Sequence, residues 1–354
     1  MTVMRDSHDT SDANPRGDLH RRKENHIEAC LDSSVDLELD SFDGVKLLYN
    51  TLPEIALDDV SMETDFAGRT IAAPLIISSM TGGAGDEFVR INRNLALGAE
   101  ALKIPLGLGS MKVMLRDETA VDSFLIRDLA PSVPIIANLG LVSFNYGIGW
   151  DDVTRIVERV QPDVFGLHLN ALQESIQEGG DTDFRGLKVR LEDFVARSEL
   201  PVYVKECGGG IAPQVVETIA ATGVQFIDIS GNDGTSWASV EASLSRDPAL
   251  GELFSDFGLP TKWILERVSR DRLHQARLVA SGGIRNGIQA VKAFALGAHF
   301  VSVARPFLLS AMKSADEVVS TGRRLIREMR TAMFLVGVKT VKELDRTVLI
   351  DSPK

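Results

Sequence analysis

Cysteine is almost missing from this chain: Cys30 and Cys207 are the only two in 354 residues. Two thiols so far apart provide neither a disulfide framework nor metal-ligand spacing. Long apolar runs are missing as well. No stretch reaches the roughly 20 residues that span a bilayer, and the first residues hold no signal-peptide core. Positive charge is in deficit, with 38 Lys and Arg against 50 Asp and Glu, a formal net charge of −12. That balance excludes a general nucleic-acid binder, which needs a basic face, although it permits a local cationic pocket. What is abundant is hydrophobic sequence, at 44%, enough for a sizeable core. Together these features predict a soluble protein in a reducing, cytoplasmic setting, with neither nucleic acid nor membrane as partner.

Residues 1–18 are polar and offer almost nothing to bury, so they are expected to form a disordered tail. A segment over 19–70 follows, opening on the basic stretch "LHRRKENHIEACL". Regularity begins near residue 71 and lasts to about 345, with 346–354 as a C-terminal tail. Short β-rich runs recur there: "APLIISSM" (73–80), "IPLGLGSM" (104–111), "VPIIANLG" (133–140), "DVFGLHLN" (163–170), "LPVYVKEC" (200–207), "VQFIDISG" (224–231), "ARLVASGGI" (276–284) and "AHFVSVARP" (298–306). Stretches with helical spacing, such as "DDVTRIVERV" and "PQVVETIAATG", separate them. Near-continuous apolar character suits parallel strands buried on both faces. Eight strand–helix units predict an α/β fold, a (β/α)8 barrel; a doubly wound open sheet is the competing architecture.

A barrel of this kind carries its active site at the carboxyl ends of its strands. Polar residues collect at those ends: Ser78, Ser79, Met80, Thr81, Gly82 and Gly83 after the first run, Gly109 and Ser110 after the second, Asn138 in the third. The fourth supplies His168 and Asn170, the fifth Lys205 and Glu206, the sixth Ser230, the seventh Ser281-Gly282-Gly283 and the eighth Arg305. Strand-end capping would explain any one of them, but not all eight ends together. The stretch "ASGGIRNGIQAVKAFALGAHFVSVARPFL" is the most specific. Its glycine pair permits close backbone approach to a phosphate, the following helix is expected to offer unpaired N–H groups, and Arg285 and Arg305 add charge.

The stretch 276–308 resembles the phosphate end of FMN-linked barrels. Within that group, residues 20–345 are similar to the type 2, FMN-dependent isopentenyl-diphosphate isomerases, through "RRKENH", "SSMTGG", "GLGSM", "ANLG", "HLNALQE", "VKECGGG", "GTSW" and "SGGIR" in that order. The resemblance implies interconversion of isopentenyl and dimethylallyl diphosphate by proton addition and elimination, with reduced FMN, Mg2+ and NADPH as flavin reductant. It implies flavin contacts from Ser79, Met80, Thr81, Ser110, Asn138, Ser230, Thr235, Gly282, Gly283, Ile284, Arg285, Ala304 and Arg305, and a lysine, Lys205, beside the pyrimidine side of the ring. Glu174 is implied as the Mg2+ ligand, with Gln173, His168 and Asn170 at the reacting carbons or the diphosphate. Arg22, Lys23 and His26 are implied to grip the diphosphate, with Ser110, Lys112 and Gln173 also on the substrate. Met80 and Trp237 are candidate pocket walls. The resemblance further implies a homo-oligomer, a tetramer or an octamer.

Some positions depart from the family pattern. Lys112 stands where arginine is common, keeping charge but losing the bidentate fork. "GNDGT" replaces "GAGGT", so Asp233 adds a carboxylate expected to weaken anion binding unless it faces solvent. Cys207 and Ala212 stand where serine or a small residue is common. Two other functions compete. An FMN-dependent 2-hydroxy-acid oxidoreductase needs a histidine after strand six, and "ISGNDGTSW" has none; a non-catalytic flavin- or isoprenoid-binding relative would have no need for Gln173, Glu174 and Lys205. Residues 238–277 are read as a surface insertion followed by a helix from Thr261, with Leu250, Leu253, Phe254 and Phe257 facing a neighbouring subunit or covering the site.

Overall fold

The computed structural model describes residues 25–80 and 82–351. The expected tail over 1–18 and the candidate residues Arg22, Lys23 and Thr81 lie outside the described residues. All eight apolar runs contain strands: β1 Leu75–Ile77, β2 Leu106–Gly107, β3 Ile135–Gly140, β4 Val164–Leu169, β5 Val202–Glu206, β6 Phe226–Asp228, β7 Arg277–Ala280 and β8 Phe300–Val303. Each pairs in parallel with its neighbour in sequence, and β8 returns to β1 through Val303↔Ile77, closing the barrel. That closure rules out the open sheet. β3 is buried along its whole length, as a parallel strand between barrel core and helices must be.

Several strands are shorter than their apolar runs. β2 keeps only two residues of "IPLGLGSM", yet the ladder goes on as Leu108 N donates to Ile136 O at 3.0 Å and Met111 N to Asn138 O at 2.8 Å. Backbone groups beyond the assigned strand thus stay paired. The helices outside start where capping chemistry predicts. Asn286 accepts from Gln289 N ahead of Gly287–Ala295, and Ser314 accepts from Glu317 N ahead of Ala315–Leu335.

The amino-terminal end of the barrel is plugged by a hairpin, Thr64–Phe66 paired with Arg69–Ile71. Phe66 is fully buried, stacks on Phe226 at 4.3 Å between centroids and meets Phe300 edge-on at 5.1 Å. Residues 25–31 are helical, and the chain after them meets the β6 loop, where Leu37 N donates to Gly234 O at 3.0 Å. Within the segment read as a C-terminal tail, Leu349–Asp351 pairs antiparallel with Val45–Leu47. The insertion holds two helices, Trp237–Leu244 and Ala249–Leu253, and a third runs over Thr261–Arg267. Within the insertion, Leu250, Leu253 and Phe257 are exposed and Phe254 is half-buried. No helix among the described residues is long and apolar enough to cross a membrane.

Candidate active site

The carboxyl ends of the eight strands surround a cavity of about 380 Å³. Every described residue named above as a candidate contact for flavin, substrate or metal lines it: Ser79 and Met80, Ser110 and Lys112, Asn138, His168 and Asn170, Gln173 and Glu174, Lys205, Ser230 and Thr235, Gly282 through Arg285, Ala304 and Arg305, and His26 from the N-terminal helix. Trp237 lines it too, with its ring edge-on to His26 at 5.5 Å.

One wall is the β7–β8 end. Gly282 and Gly283 have φ of +86° and +75°, and a Cβ on Gly282 would lie 1.9 Å from Gly231 O. Only glycine fits a turn packed this tightly on the β6 loop. The helix after it differs from expectation. Two of its first-turn amides are already bonded, Gly287 N to Glu328 Oε2 and Gln289 N to Asn286 Oδ1. The cavity is met instead by the turn itself and by the start of Arg305–Ala311, whose N-cap Ala304 has no side-chain cap. Arg285 Nη2 bonds Asp36 Oδ1 at 2.6 Å, and Arg305 donates to Cys30 O and Leu31 O at 3.1 Å each. These two arginines therefore tie the N-terminal segment to this end of the barrel.

The Asn232–Asp233 departure also resolves differently from expectation. Asp233 neither faces solvent nor lines the cavity; it is buried and accepts from Ser41 Oγ at 2.7 Å and Thr261 N at 2.8 Å. Asn232 donates to Asp256 O at 3.0 Å. The two side chains fasten the β6 loop to the N-terminal segment and to the insertion, so the extra carboxylate is directed away from the cavity.

The opposite wall grows from β4. Asn170 caps the short helix Ala171–Ile176 by position, so Gln173 and Glu174 on its first turn come back over the strand end. His168 Nδ1 lies 2.9 Å from Asn138 Oδ1 on the neighbouring strand. Asn170 Nδ2 donates to Glu174 Oε1 at 2.8 Å, and Glu174 Oε2 accepts from Asp181 N at 2.6 Å. Asn170 Oδ1 is buried without a hydrogen-bond partner, a cost unless something else supplies a donor or cation there. Lys112, on the rim, pairs with Asp181. Among the described residues no three His, Cys, Asp or Glu side chains form a metal cage. The oxygens of Glu174 and Asn170 suit a cation that keeps waters and bridges to substrate phosphates, as Mg2+ does.

The structure adds a residue that the sequence reading missed. Glu241, buried on helix Trp237–Leu244, accepts from Gln173 Nε2 at 2.8 Å and lies 3.1 Å from His26 Nε2. Its signal was a lone acid among alanine, serine and valine in "WASVEASL"; only folding shows that it reaches Gln173.

Lys205, at the end of β5, is buried and donates to Glu206 O at 2.6 Å and Cys207 Sγ at 3.6 Å. Burial alone would lower its pKa, but Cys207, Asp228 and Glu206 outweigh that and the pKa rises. Burial pushes the Cys207 thiol up to about 11, so it is protonated near neutrality. A glycine turn beside two arginines at one end and a buried ammonium at the end of β5 fit a flavin mononucleotide, whose phosphate the turn would hold and whose pyrimidine side Lys205 would meet.

Comparison with known proteins agrees with this chemistry. The sequence family described as FMN-dependent dehydrogenase matches residues 170–351. A protein of Oceanobacillus iheyensis is 40% identical over 93% of this chain and 95% of its own length. One of Paracoccus zeaxanthinifaciens is 41% identical over 93% and 96%, and one of Thermococcus kodakarensis 37% over 93% and 90%. Each is named isopentenyl-diphosphate delta-isomerase. Among solved structures, a mutant flavocytochrome b2 matches with a TM-score of 0.67 at 18% identity, covering 93% of this chain and 86% of that one. A mutant mandelate oxidase matches with a TM-score of 0.63 at 19% identity, covering 95% and 99%. At such identities the structures establish the shared barrel and nothing about the reaction.

Proposed function

The chain belongs to the isopentenyl-diphosphate delta-isomerase family, and from that premise we infer that it interconverts isopentenyl and dimethylallyl diphosphate with FMN in the cavity at the barrel mouth. It is an isomerase: toward dimethylallyl diphosphate, a proton is added at the terminal alkene carbon and another is removed from the allylic CH2, with no net redox change. The observation that carries the reading in this chain is the hydrogen bond from Gln173 Nε2 to Glu241, with His26 Nε2 3.1 Å from the same carboxylate. Reduced FMN, with NADPH as its reductant, would supply an acid–base group beside the reacting carbons. The protein's own groups do the rest.

Gln173 cannot ionise near neutrality, so its amide orients. Glu241 fixes that amide and, being a carboxylate, has the proton capacity the amide lacks. The resulting charge on carbon is tertiary and must be kept from water; Met80 and Trp237 supply apolar surface for that. At the diphosphate end, Glu174 would hold Mg2+, with Asn170 Oδ1 beside it. Arg22, Lys23, His26 and Lys112 would neutralise the phosphates, and Ser110 and His168 would steady them. The Lys112–Asp181 pair keeps that ammonium at the rim. We read the protein as cytoplasmic and as a homo-oligomer.

The test is direct. Purified protein, reduced anaerobically with Mg2+, should convert isopentenyl diphosphate to its isomer, followed by proton NMR, without consuming reductant in proportion to product. Oxidation of one NADPH per turnover would sink the isomerase reading and revive the oxidoreductase one.

A further inference from the structure

Below the cavity floor lies a charged group that the scheme above leaves unused. Asp228, the last residue of β6, is fully buried. Its Oδ2 accepts from Tyr203 OH at 2.7 Å; its Oδ1 accepts from Ser281 Oγ at 2.5 Å and from Ser230 N at 3.2 Å. Three donors from β5, β6 and the end of β7 thus converge on one carboxylate. Burying a carboxylate is costly even when paired, and an asparagine of the same shape would avoid most of that cost. Stability alone does not explain why an acid stands here.

The strand register places what it faces. Asp228 lies directly opposite Lys205 across β5 and β6, and Lys205 lies opposite His168 across β4 and β5. Register partners in a sheet point to the same side. Lys205 reaches the cavity, while Asp228 does not line it. The other groups around the ammonium are Cys207 and the Glu206 carbonyl. Of these, the thiol is protonated and carries no charge; the Glu206 carboxylate also favours the ammonium, but it is turned back onto the amides of Gly208, Gly209 and Gly210.

We propose that Asp228 is a positioning residue for Lys205: a counter-charge that keeps the ammonium protonated when flavin and substrate exclude water. The proposal rests on the placement of FMN beside Lys205 and extends it. The two charges support each other. Burial pushes the Asp228 carboxyl up, and Lys205, Ser281 and Tyr203 hold it down. Without the Asp228 carboxylate the balance tilts toward burial, the Lys205 pKa falls relative to wild type, and its charge is lost at a lower pH as pH rises. A neutral amine no longer stabilises the negative charge of reduced flavin.

The experiment is the midpoint potential of bound flavin against pH, measured on wild-type holoenzyme and on Asp228→Asn. Flavin retention is read first, from the visible spectrum. If neither protein retains FMN, the cofactor placement fails, independently of Asp228. With flavin bound, the curves should diverge as pH rises. The variant should fall at least about 30 mV below wild type on the alkaline side, a tenfold change for a two-electron couple. Parallel or coincident curves overturn the proposal, because Lys205 would then hold its proton unaided. Should Asp228→Asn not fold, Tyr203→Phe deletes one donor with little change of shape. It should give a smaller divergence of the same sign, and parallel curves there overturn the proposal equally.

Discussion

Gln173 carries an amide, a group that neither gives up nor takes a proton near neutral pH, yet it sits between Asn170 on one side and Glu241 on the other. Its neighbour Glu174 is turned toward Asn170 and the amide of Asp181 instead. Two adjacent residues thus face different tasks, and substitution separates them. Glu174→Gln keeps an oxygen for Asp181 N but removes the charge that would hold Mg2+. Substrate affinity should fall, and raising Mg2+ should restore part of it, read by titration at several metal concentrations. Gln173→Leu keeps the bulk and deletes the amide. Metal-dependent diphosphate binding should persist while turnover drops by ~100-fold or more. Near-normal turnover would reduce this strand end to a binding role. Glu241→Gln keeps an acceptor for Gln173 but removes the carboxylate; it should show the same pattern, and the double variant should be little worse than either single one, because both residues serve one proton-handling unit.

Arg285 belongs to the turn between β7 and its following helix, and at the scale of elements it does two things. It sits at the proposed phosphate turn, and it grips Asp36 and the carbonyl of Leu39. A charge-assisted hydrogen bond contributes about 1.5–3 kcal/mol. Arg285→Ala should therefore weaken FMN binding roughly tenfold or more while leaving the barrel's circular dichroism intact; unchanged affinity in a fluorescence titration would move the phosphate elsewhere. The elements were largely legible beforehand. Strands buried on both faces advertise themselves as apolar runs, and each run ends in the polar residues that line the mouth. Contacts between distant segments were not legible. Ser41 reaching Asp233, Asp36 reaching Arg285 and Glu241 reaching Gln173 join residues that no local period links. The helix after Gly282-Gly283 looked free to bind an anion because nothing nearby in sequence announces that Glu328 caps it.

Taken as a whole, the molecule separates chemistry from stability along the barrel axis. The mouth gathers glycine turns, buried ions and polar side chains, features that cost stability. The other end is closed by the Thr64–Ile71 hairpin, where Phe66 fills the barrel against Phe226 and Phe300, and Arg277 lies over both partner rings at 4.7 and 5.2 Å. Burial pushes the Arg277 pKa down, against the raising effect of Asp65. Tyr203 and Ile136 complete the same apolar layer, and Tyr203 passes its hydroxyl upward to Asp228, so the layer also forms the floor of the functional end. Phe66→Ala empties a fully packed site and should cost about 3–5 kcal/mol, seen as a lower denaturant midpoint with flavin bound or removed. Phe66 itself does not line the cavity. Below the melting transition, FMN affinity and turnover of the variant should therefore stay within a factor of about two, a change too small to need any loss of contact. A large loss of turnover at full folding would show that the plug sets the height of Tyr203 and Asp228, and that the two ends of the barrel are not energetically separate.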